Sequence, residues 1–126
     1  MKCALCAVAL ALLAGCSLFR IYHVDDEQTI ETVCRLFDDA TFRDIVVTAG
    51  KERGWEVYDE IVGNVYLTLH GIRIRVEYLD DRFLIEYVDS KDCGYDPATG
   101  EIDSRYVRWV RNLKVSIKRI ARELGN

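Results

Sequence analysis

Apolar side chains recur at every second position through the middle of the chain, between Trp55 and Val88. This period places them on one face of extended strands. The interruptions at residues 60–64, Gly71 and Asp80-Asp81 are short, and short gaps favour hairpins over crossover connections. The pattern therefore predicts an antiparallel four-stranded meander, with three strands as the alternative. Its apolar positions are Trp55, Val57, Val65, Leu67, Leu69, Ile72, Ile74, Val76, Tyr78, Phe83, Ile85 and Tyr87.

The last part of the chain changes to a helical period, after Asp103 or Ser104 as N-cap. Its apolar face comprises Tyr106, Trp109, Val110, Leu113, Ile117, Ile120 and Leu124. Its opposite side carries Arg105, Arg108, Arg111, Lys114, Lys118, Arg119 and Arg122. We expect this amphipathic helix to pack across the apolar face of the sheet.

A second helix is predicted before the sheet, over Thr41 to Gly54. Thr41 is the predicted N-cap, and Gly54 ends the helix. Gly50 within the pattern indicates either a frayed last turn or close packing. The predicted apolar stripe is Phe42, Ile45, Val46 and Ala49. The resulting fold class is α+β, with an N-terminal and a C-terminal helix on one face of the sheet.

Residues 25–39 fit two patterns. Ile30, Val33, Cys34 and Phe37 are spaced as on one face of a helix, and we predict a short helix here. Thr32, Val33 and Cys34 would also suit an edge strand, so this alternative stays open.

The start of the chain has the organisation of a secretory signal. Lys2 is followed by the apolar run Cys3 to Leu12, and small residues come next. The run is too short for a stable membrane span. It ends in Leu13-Ala14-Gly15-Cys16, which resembles the lipobox of bacterial lipoproteins. A plain secretory signal or a core helix is the alternative.

The lipobox resemblance implies cleavage before Cys16 and attachment of a diacylglycerol to its thiol. Ser17, which is not aspartate, favours export to the outer membrane, with the protein facing the periplasm. The predicted organisation is a signal peptide over residues 1–15, an anchor and linker with a short helix over 16–40, and one α+β domain over 41–126.

Of the five cysteines, Cys3 and Cys6 would leave with the signal and Cys16 would carry lipid. Cys34 and Cys93 remain. They could form a disulfide in an oxidising compartment, or each could be a small buried side chain. The apolar pattern around Cys34 favours burial.

The domain itself resembles a family of small uncharacterised bacterial lipoproteins. The motifs are Gly54-Trp55, Asp89-Ser90 leading to Tyr95, and the Tyr-x-x-Trp-[Ile/Val]-x-Asn-Leu pattern of residues 106–113. The resemblance covers about Thr41 to Leu124 and implies a meander sheet with no known reaction. Cys93 stands where an apolar residue is expected, which supports its burial.

Few residues suggest chemistry. Asp89, Asp92, Asp96, Glu101 and Asp103 crowd one loop and could hold Ca²⁺, but Lys91 and Cys93 break the EF-hand spacing. Turns and a helix N-cap explain these acids more simply. His23 and His70 have no nucleophile in a recognisable spacing. We therefore predict no catalytic residue, no metal site and no cofactor.

Asn112 lies beside the apolar face of the last helix. It could contact a ligand, but we favour a side-chain bond to sheet or loop backbone, because buried amides need partners.

The basic side of the last helix is the main candidate for function. From Asp103 onward seven lysine and arginine residues accompany two acidic residues, whereas acidic residues predominate before it. Export argues against nucleic acid, so the candidate partners are anionic lipid or an acidic envelope protein. The alternative is a solvated helix face whose positive charge is balanced by the acidic remainder of the domain. The predicted contact residues are Arg108, Arg111, Lys118 and Arg122.

We therefore predict a membrane-anchored, non-enzymatic envelope lipoprotein that acts in binding or scaffolding. The alternative is a small-molecule or divalent-metal-dependent periplasmic enzyme that uses the acidic loop.

Overall fold

The computed structural model describes residues 21–125. The predicted signal peptide and Cys16 lie outside the described residues. The strands are β1 (Tyr22–His23), β2 (Glu31–Thr32), β3 (Glu56–Ile61), β4 (Asn64–Leu69), β5 (Ile72–Leu79), β6 (Arg82–Ser90) and β7 (Glu101–Ile102). The helices are a 3₁₀ helix (Val24–Glu27), α1 (Asp39–Glu52) and α2 (Ser104–Leu124).

The fold is α+β, as predicted. The main sheet is antiparallel with the strand order β2-β6-β5-β4-β3, and β1 pairs with β7 in a separate two-stranded sheet. Strands β3 to β6 follow one another as neighbours. The prediction of a four-stranded sheet is nevertheless incomplete, because a fifth strand, β2, lies beside β6.

This fifth strand comes from the segment predicted to be helical, so the helix over residues 25–39 is wrong. Glu31 pairs with Phe83 and Thr32 with Arg82. The Val33 N–H then donates to the Asp81 carbonyl at 2.7 Å. The free edge of β6 thus supplies backbone partners that an isolated short helix would have to find within itself. The edge-strand alternative was the better one.

The segment assigned to a linker also belongs to the folded unit. Val24 and Phe37 are buried. The Phe37 ring meets the Phe42 ring of α1 edge-on, with 5.8 Å between their centroids. Residues before position 41 therefore pack into the same core as the sheet and helices.

Helix α1 buries the four apolar residues predicted for it, Phe42, Ile45, Val46 and Ala49. Its N-cap is Asp38 and not Thr41, because the Thr41 N–H donates to Asp38 Oδ1 at 2.7 Å. Gly50 marks close packing: a Cβ there would lie 3.3 Å from Leu67 Cδ1 of β4.

Helix α2 begins after Asp103, whose Oδ1 accepts from the Arg105 N–H at 2.8 Å. The predicted apolar residues Tyr106, Val110, Leu113 and Ile117 are fully buried, together with Val107 and Ala121. Leu124, in contrast, is exposed.

Contacts at its two ends show how α2 runs along the sheet. Trp109 packs on His70 in the β4–β5 turn, with 5.1 Å between ring centroids. At the other end, Ala121 accepts a hydrogen bond from Cys34. Val33, next to Cys34, is bonded to the β5–β6 turn. Helix α2 therefore runs from the β4–β5 turn to the β5–β6 turn.

The sheet has an inner face, packed against the helices, and an outer face. A register shift in β6 pairs Arg73 with Asp89 and Ile74 with Tyr87, which leaves Val88 as the extra residue of a bulge. Because the bulge reverses the alternation, Asp89 lies on the outer face beside Arg73.

Candidate functional site

The predicted basic surface of α2 is largely neutralised within the domain. Arg111 binds Glu27, Lys118 binds Glu31, and Arg119 binds Glu52 and Glu123. Arg105 binds Asp103. Two of the four predicted contact residues, Arg111 and Lys118, are therefore held by carboxylates of the chain's own N-terminal segment.

Glu27 is the centre of this arrangement. It is only 6% exposed. Its Oε1 accepts from Arg111 Nε at 3.0 Å. Lys114 Nζ donates to the Glu27 carbonyl at 2.6 Å and approaches Oε2 at 3.5 Å. Both cations thus compensate the carboxylate for its loss of water.

Lys114 is on the predicted basic side of α2, yet it is buried, with only 7% of its surface exposed. Its ammonium lies beneath the N-terminal segment, where it also donates to Thr29 Oγ1 at 3.4 Å and lies 3.9 Å from Glu31 Oε1. The helical period placed it on the polar side, but the preceding chain folds over that side.

Glu31 extends the same network to the sheet edge. Burial alone would raise the pKa of this carboxyl, but hydrogen bonding and charge from Lys118, with charge from Lys114, outweigh burial and lower the pKa. We name Glu27, Glu31, Arg111, Lys114 and Lys118 the N-terminal ion cluster. It joins the 3₁₀ helix and β2 to α2.

Arg108 and Arg122 are the two predicted contact residues without a salt bridge in the described part of the chain. Both are exposed, and neither forms a salt bridge with residues 21–125. Arg108 lines an open groove of about 320 Å³ with Tyr22, Ser104, Val107, Arg111 and Asn112. Arg122 lies 14 positions farther along, about 21 Å away at the rise of an α-helix.

Asn112 lies in this groove and is exposed. Its side chain makes no hydrogen bond to another described residue, so the favoured prediction of a side-chain bond to sheet or loop backbone is wrong. Helix α2 turns the Asn112 amide away from the core, although its neighbour Leu113 is fully buried.

The five acids of the loop before α2 do not converge. Asp89 binds Arg73 across the sheet, with Arg73 Nε donating to Oδ1 at 2.6 Å, and Arg73 lowers the pKa of Asp89. Asp96 Oδ1 accepts from the Ala98 N–H at 2.9 Å. Asp103 caps α2, and the Arg105 N–H lowers its pKa. Within residues 21–125, no three His, Cys, Asp or Glu side chains are grouped to hold a metal ion.

The two cysteines of the domain are separate thiols. Cys93 is buried, as its position in the sequence predicted, and burial raises its pKa. Cys34 is exposed, so the prediction of its burial is wrong. Because Cys34 follows the edge strand rather than lying on a helix, its helical spacing does not direct it into the core.

The outer face of the main sheet is held by cross-strand ion pairs that the sequence analysis did not identify. Besides Arg73–Asp89, Arg75 Nη2 donates to Glu86 Oε2 at 2.6 Å. The strand alternation placed Arg73, Arg75 and Glu86 on one face, whereas Asp89 reaches that face through the bulge at Val88. Their pairing depends on register and on the bulge at Val88.

Comparison of the chain with models of protein families, with curated proteins and with solved structures gives no significant match. Among the helices of residues 21–125, none has the length and apolar character needed to cross a bilayer. The resemblance to bacterial lipoproteins therefore stays a prediction from the motifs.

Proposed function

We propose that the protein is a lipid-anchored envelope lipoprotein, held at the outer membrane facing the periplasm, and that its domain is a non-enzymatic binding or scaffolding module. The observation that carries this proposal is Leu13-Ala14-Gly15-Cys16 at the end of a short apolar run. Small residues before a cysteine at this point fit signal cleavage and acylation at Cys16.

The ion pairs of the domain support a binding or scaffolding role rather than catalysis by the acidic loop. Asp89, Asp96 and Asp103 of the acidic loop each have a local structural partner. Most cations of α2 are likewise paired within the domain. These groups stabilise the fold, and the attachment at Cys16 supplies the membrane association.

The short tether would keep one end of the domain near the bilayer. Four residues separate Cys16 from Ile21, and the five Cα–Cα steps between them span at most about 18 Å when fully extended. Tyr22 lines the same groove as Arg108. Of the two α2 cations without a salt bridge among residues 21–125, Arg108 is therefore the better placed to reach lipid phosphates.

The contribution of Arg108 should be small. One arginine near an anionic surface is worth about 1 kcal/mol, and the exposed Asp25 and Asp26 follow Tyr22 closely. The acyl chains would provide most of the binding energy, with Arg108 as a salt-sensitive second contact.

The anchor is tested by intact mass and membrane fractionation of the full chain, with Cys16→Ser as the comparison, in a Gram-negative host. We expect a mass that matches cleavage before Cys16 plus acyl chains, and loss of that mass in Cys16→Ser. A full-length soluble product would overturn the proposal.

The second contact is tested with Arg108→Gln in lipidated protein reconstituted into vesicles. In the parent protein, anionic phosphatidylglycerol should protect the first turns of α2 from hydrogen exchange more than phosphatidylcholine does. This difference should be present at about 50 mM salt and shrink at about 300 mM, because added salt shortens the Debye length. Arg108→Gln should remove it.

Arg122→Gln is the matched control, because Arg122 is also exposed and unbridged but lies farther from the tether. Equal protection in both lipids, or an equal loss in both variants, would contradict the role of Arg108.

A further inference from the structure

We infer that one corner of the outer sheet face binds a second copy of this chain around a two-fold axis. We call the set Glu77, Leu79, Arg82 and Leu84 the sheet corner. Its charge pattern is self-complementary, and this observation does not depend on the anchor at Cys16.

The strand register places the four side chains in a block. Glu77 of β5 pairs with Leu84 of β6, and Leu79 of β5 pairs with Arg82 of β6. Paired residues of antiparallel strands project to the same face. The two leucines therefore occupy one diagonal of the block, and the two charged residues occupy the other.

The leucines of the sheet corner belong to an accessible apolar patch. Leu79 is 65% exposed, and Ile30, just before β2, is 68% exposed. Ile30, Leu79 and Leu84 line one shallow depression of about 140 Å³ together with Glu77 and Arg82. Exposed aliphatic side chains grouped in this way, with a polar rim, mark interaction sites.

The two charges are held only loosely by their own chain. The closest approach of Glu77 to Arg75 is 3.8 Å, and Arg82 Nε lies 3.4 Å from the neighbouring Asp81. Both side chains are more than half exposed. Each can therefore turn to a partner without breaking a buried ion pair.

A two-fold axis along the leucine diagonal makes the corner complementary to itself. Rotation about this axis brings Leu79 against Leu79 and Leu84 against Leu84 of the second copy. The same rotation places each Glu77 against the other copy's Arg82. A closed pair of this kind uses the same patch on both subunits.

The direction of the axis is compatible with two copies in one membrane, if the proposed anchor is correct. Strands lie about 4.8 Å apart, and alternate residues along a strand lie about 6.8 Å apart, so the diagonal runs closer to the strand direction than across it. Rotation about such an axis leaves the β4–β5 end of both copies, near which α2 begins, on the same side.

The test is thiol crosslinking of the full chain expressed in a Gram-negative host. The background carries Cys34→Ser, because Cys34 is exposed. Leu79→Cys places a thiol on the axis, so a short bifunctional thiol reagent should yield covalent dimer. Val115→Cys is the matched control, because Val115 is 57% exposed and lies on α2. The Cys34→Ser chain without an added cysteine shows how much dimer forms through the remaining cysteines.

Charge reversal tests the complementarity. In the Leu79→Cys chain, Glu77→Arg should lower the dimerisation constant about tenfold, which corresponds to about 1.4 kcal/mol. Arg82→Glu should reduce it similarly, and Glu77→Arg with Arg82→Glu should restore it.

The inference is overturned if Leu79→Cys gives no more dimer than Val115→Cys, or if the double reversal does not recover the dimer. Equal melting temperatures of the variants exclude a folding defect. The crosslink also forms if Cys16 is not acylated, so failure of the anchor and failure of the dimer are distinguishable.

Discussion

At the scale of single residues, Glu27 is the one acid that is buried among residues 21–125. Its carboxylate is buried between Arg111 and Lys114, and its carbonyl accepts from Lys114. Removing one partner of a buried ion pair leaves the other charge buried without compensation, which destabilises the fold. In the sequence it appears as the third acid of Asp25-Asp26-Glu27, a run typical of a solvated turn.

We therefore expect Glu27→Gln to destabilise the domain by about 3 kcal/mol, the lower range for removing one partner of a buried pair. The free energy of unfolding is measured by urea titration. Asp26→Gln is the control, because Asp26 is exposed, and it should change the stability little.

Lys114→Met combined with Glu27→Gln should cost less than the sum of the two single changes, because the double variant leaves neither charge buried without its partner. Strict additivity would contradict the coupling of these two side chains.

At the scale of elements, α1 and α2 both start at an aspartate. The sequence analysis missed Asp38 and left Asp103 and Ser104 as alternatives. Asp38 and Thr41 are both suitable caps for α1, and they stand three positions apart. The structure uses the earlier one, because the Thr41 N–H points back to the Asp38 carboxylate. For α2, Asp103 and Ser104 were equivalent in the sequence, and the structure selects Asp103.

Asp103→Ala should lower the free energy of unfolding by about 1 kcal/mol, the usual cost of losing an N-cap. Ser104→Ala, one position inside the helix, should change it little. Thermal and urea unfolding of the two variants provide the measurement. An equal loss in both variants would contradict Asp103 as the cap.

At the scale of the whole molecule, salt bridges hold the N-terminal segment against α2. Glu31 at the sheet edge and Lys118 on α2 are the outermost pair of this contact. The folded state lowers the pKa of Glu31. The pair therefore contributes stability above the unfolded pKa of about 4.3, and this stability is lost as pH falls through the lower folded pKa.

Lys118→Gln should accordingly lower the melting temperature at pH 7. The difference from the parent protein should shrink as pH falls, and it should vanish below the folded pKa of Glu31. Melting curves across the acid range measure it. Arg122→Gln is the control, because Arg122 has no salt bridge among residues 21–125. A pH-independent difference for Lys118→Gln would show that packing, rather than the ion pair, was lost.

The sequence by itself determined the α+β class, the meander of β3 to β6 and the two amphipathic helices. These features depend on local periods of two and 3.6 residues, which the chain carries without reference to distant partners. The Cys16 anchor is a prediction from the same local kind of signal.

Only the tertiary structure decided which cations of α2 remain free and where the edge strand forms. Arg111 and Glu27 are 84 positions apart, and no local period connects them. The helix predicted from Ile30, Val33, Cys34 and Phe37 did not form. The edge of β6 pairs with Glu31 and Thr32, and the β5–β6 turn accepts hydrogen bonds from the Val33 and Phe37 N–H groups. Long-range pairing of this kind depends on how the elements come together. Of the four predicted contact residues, it leaves Arg108 and Arg122 without a salt bridge among residues 21–125.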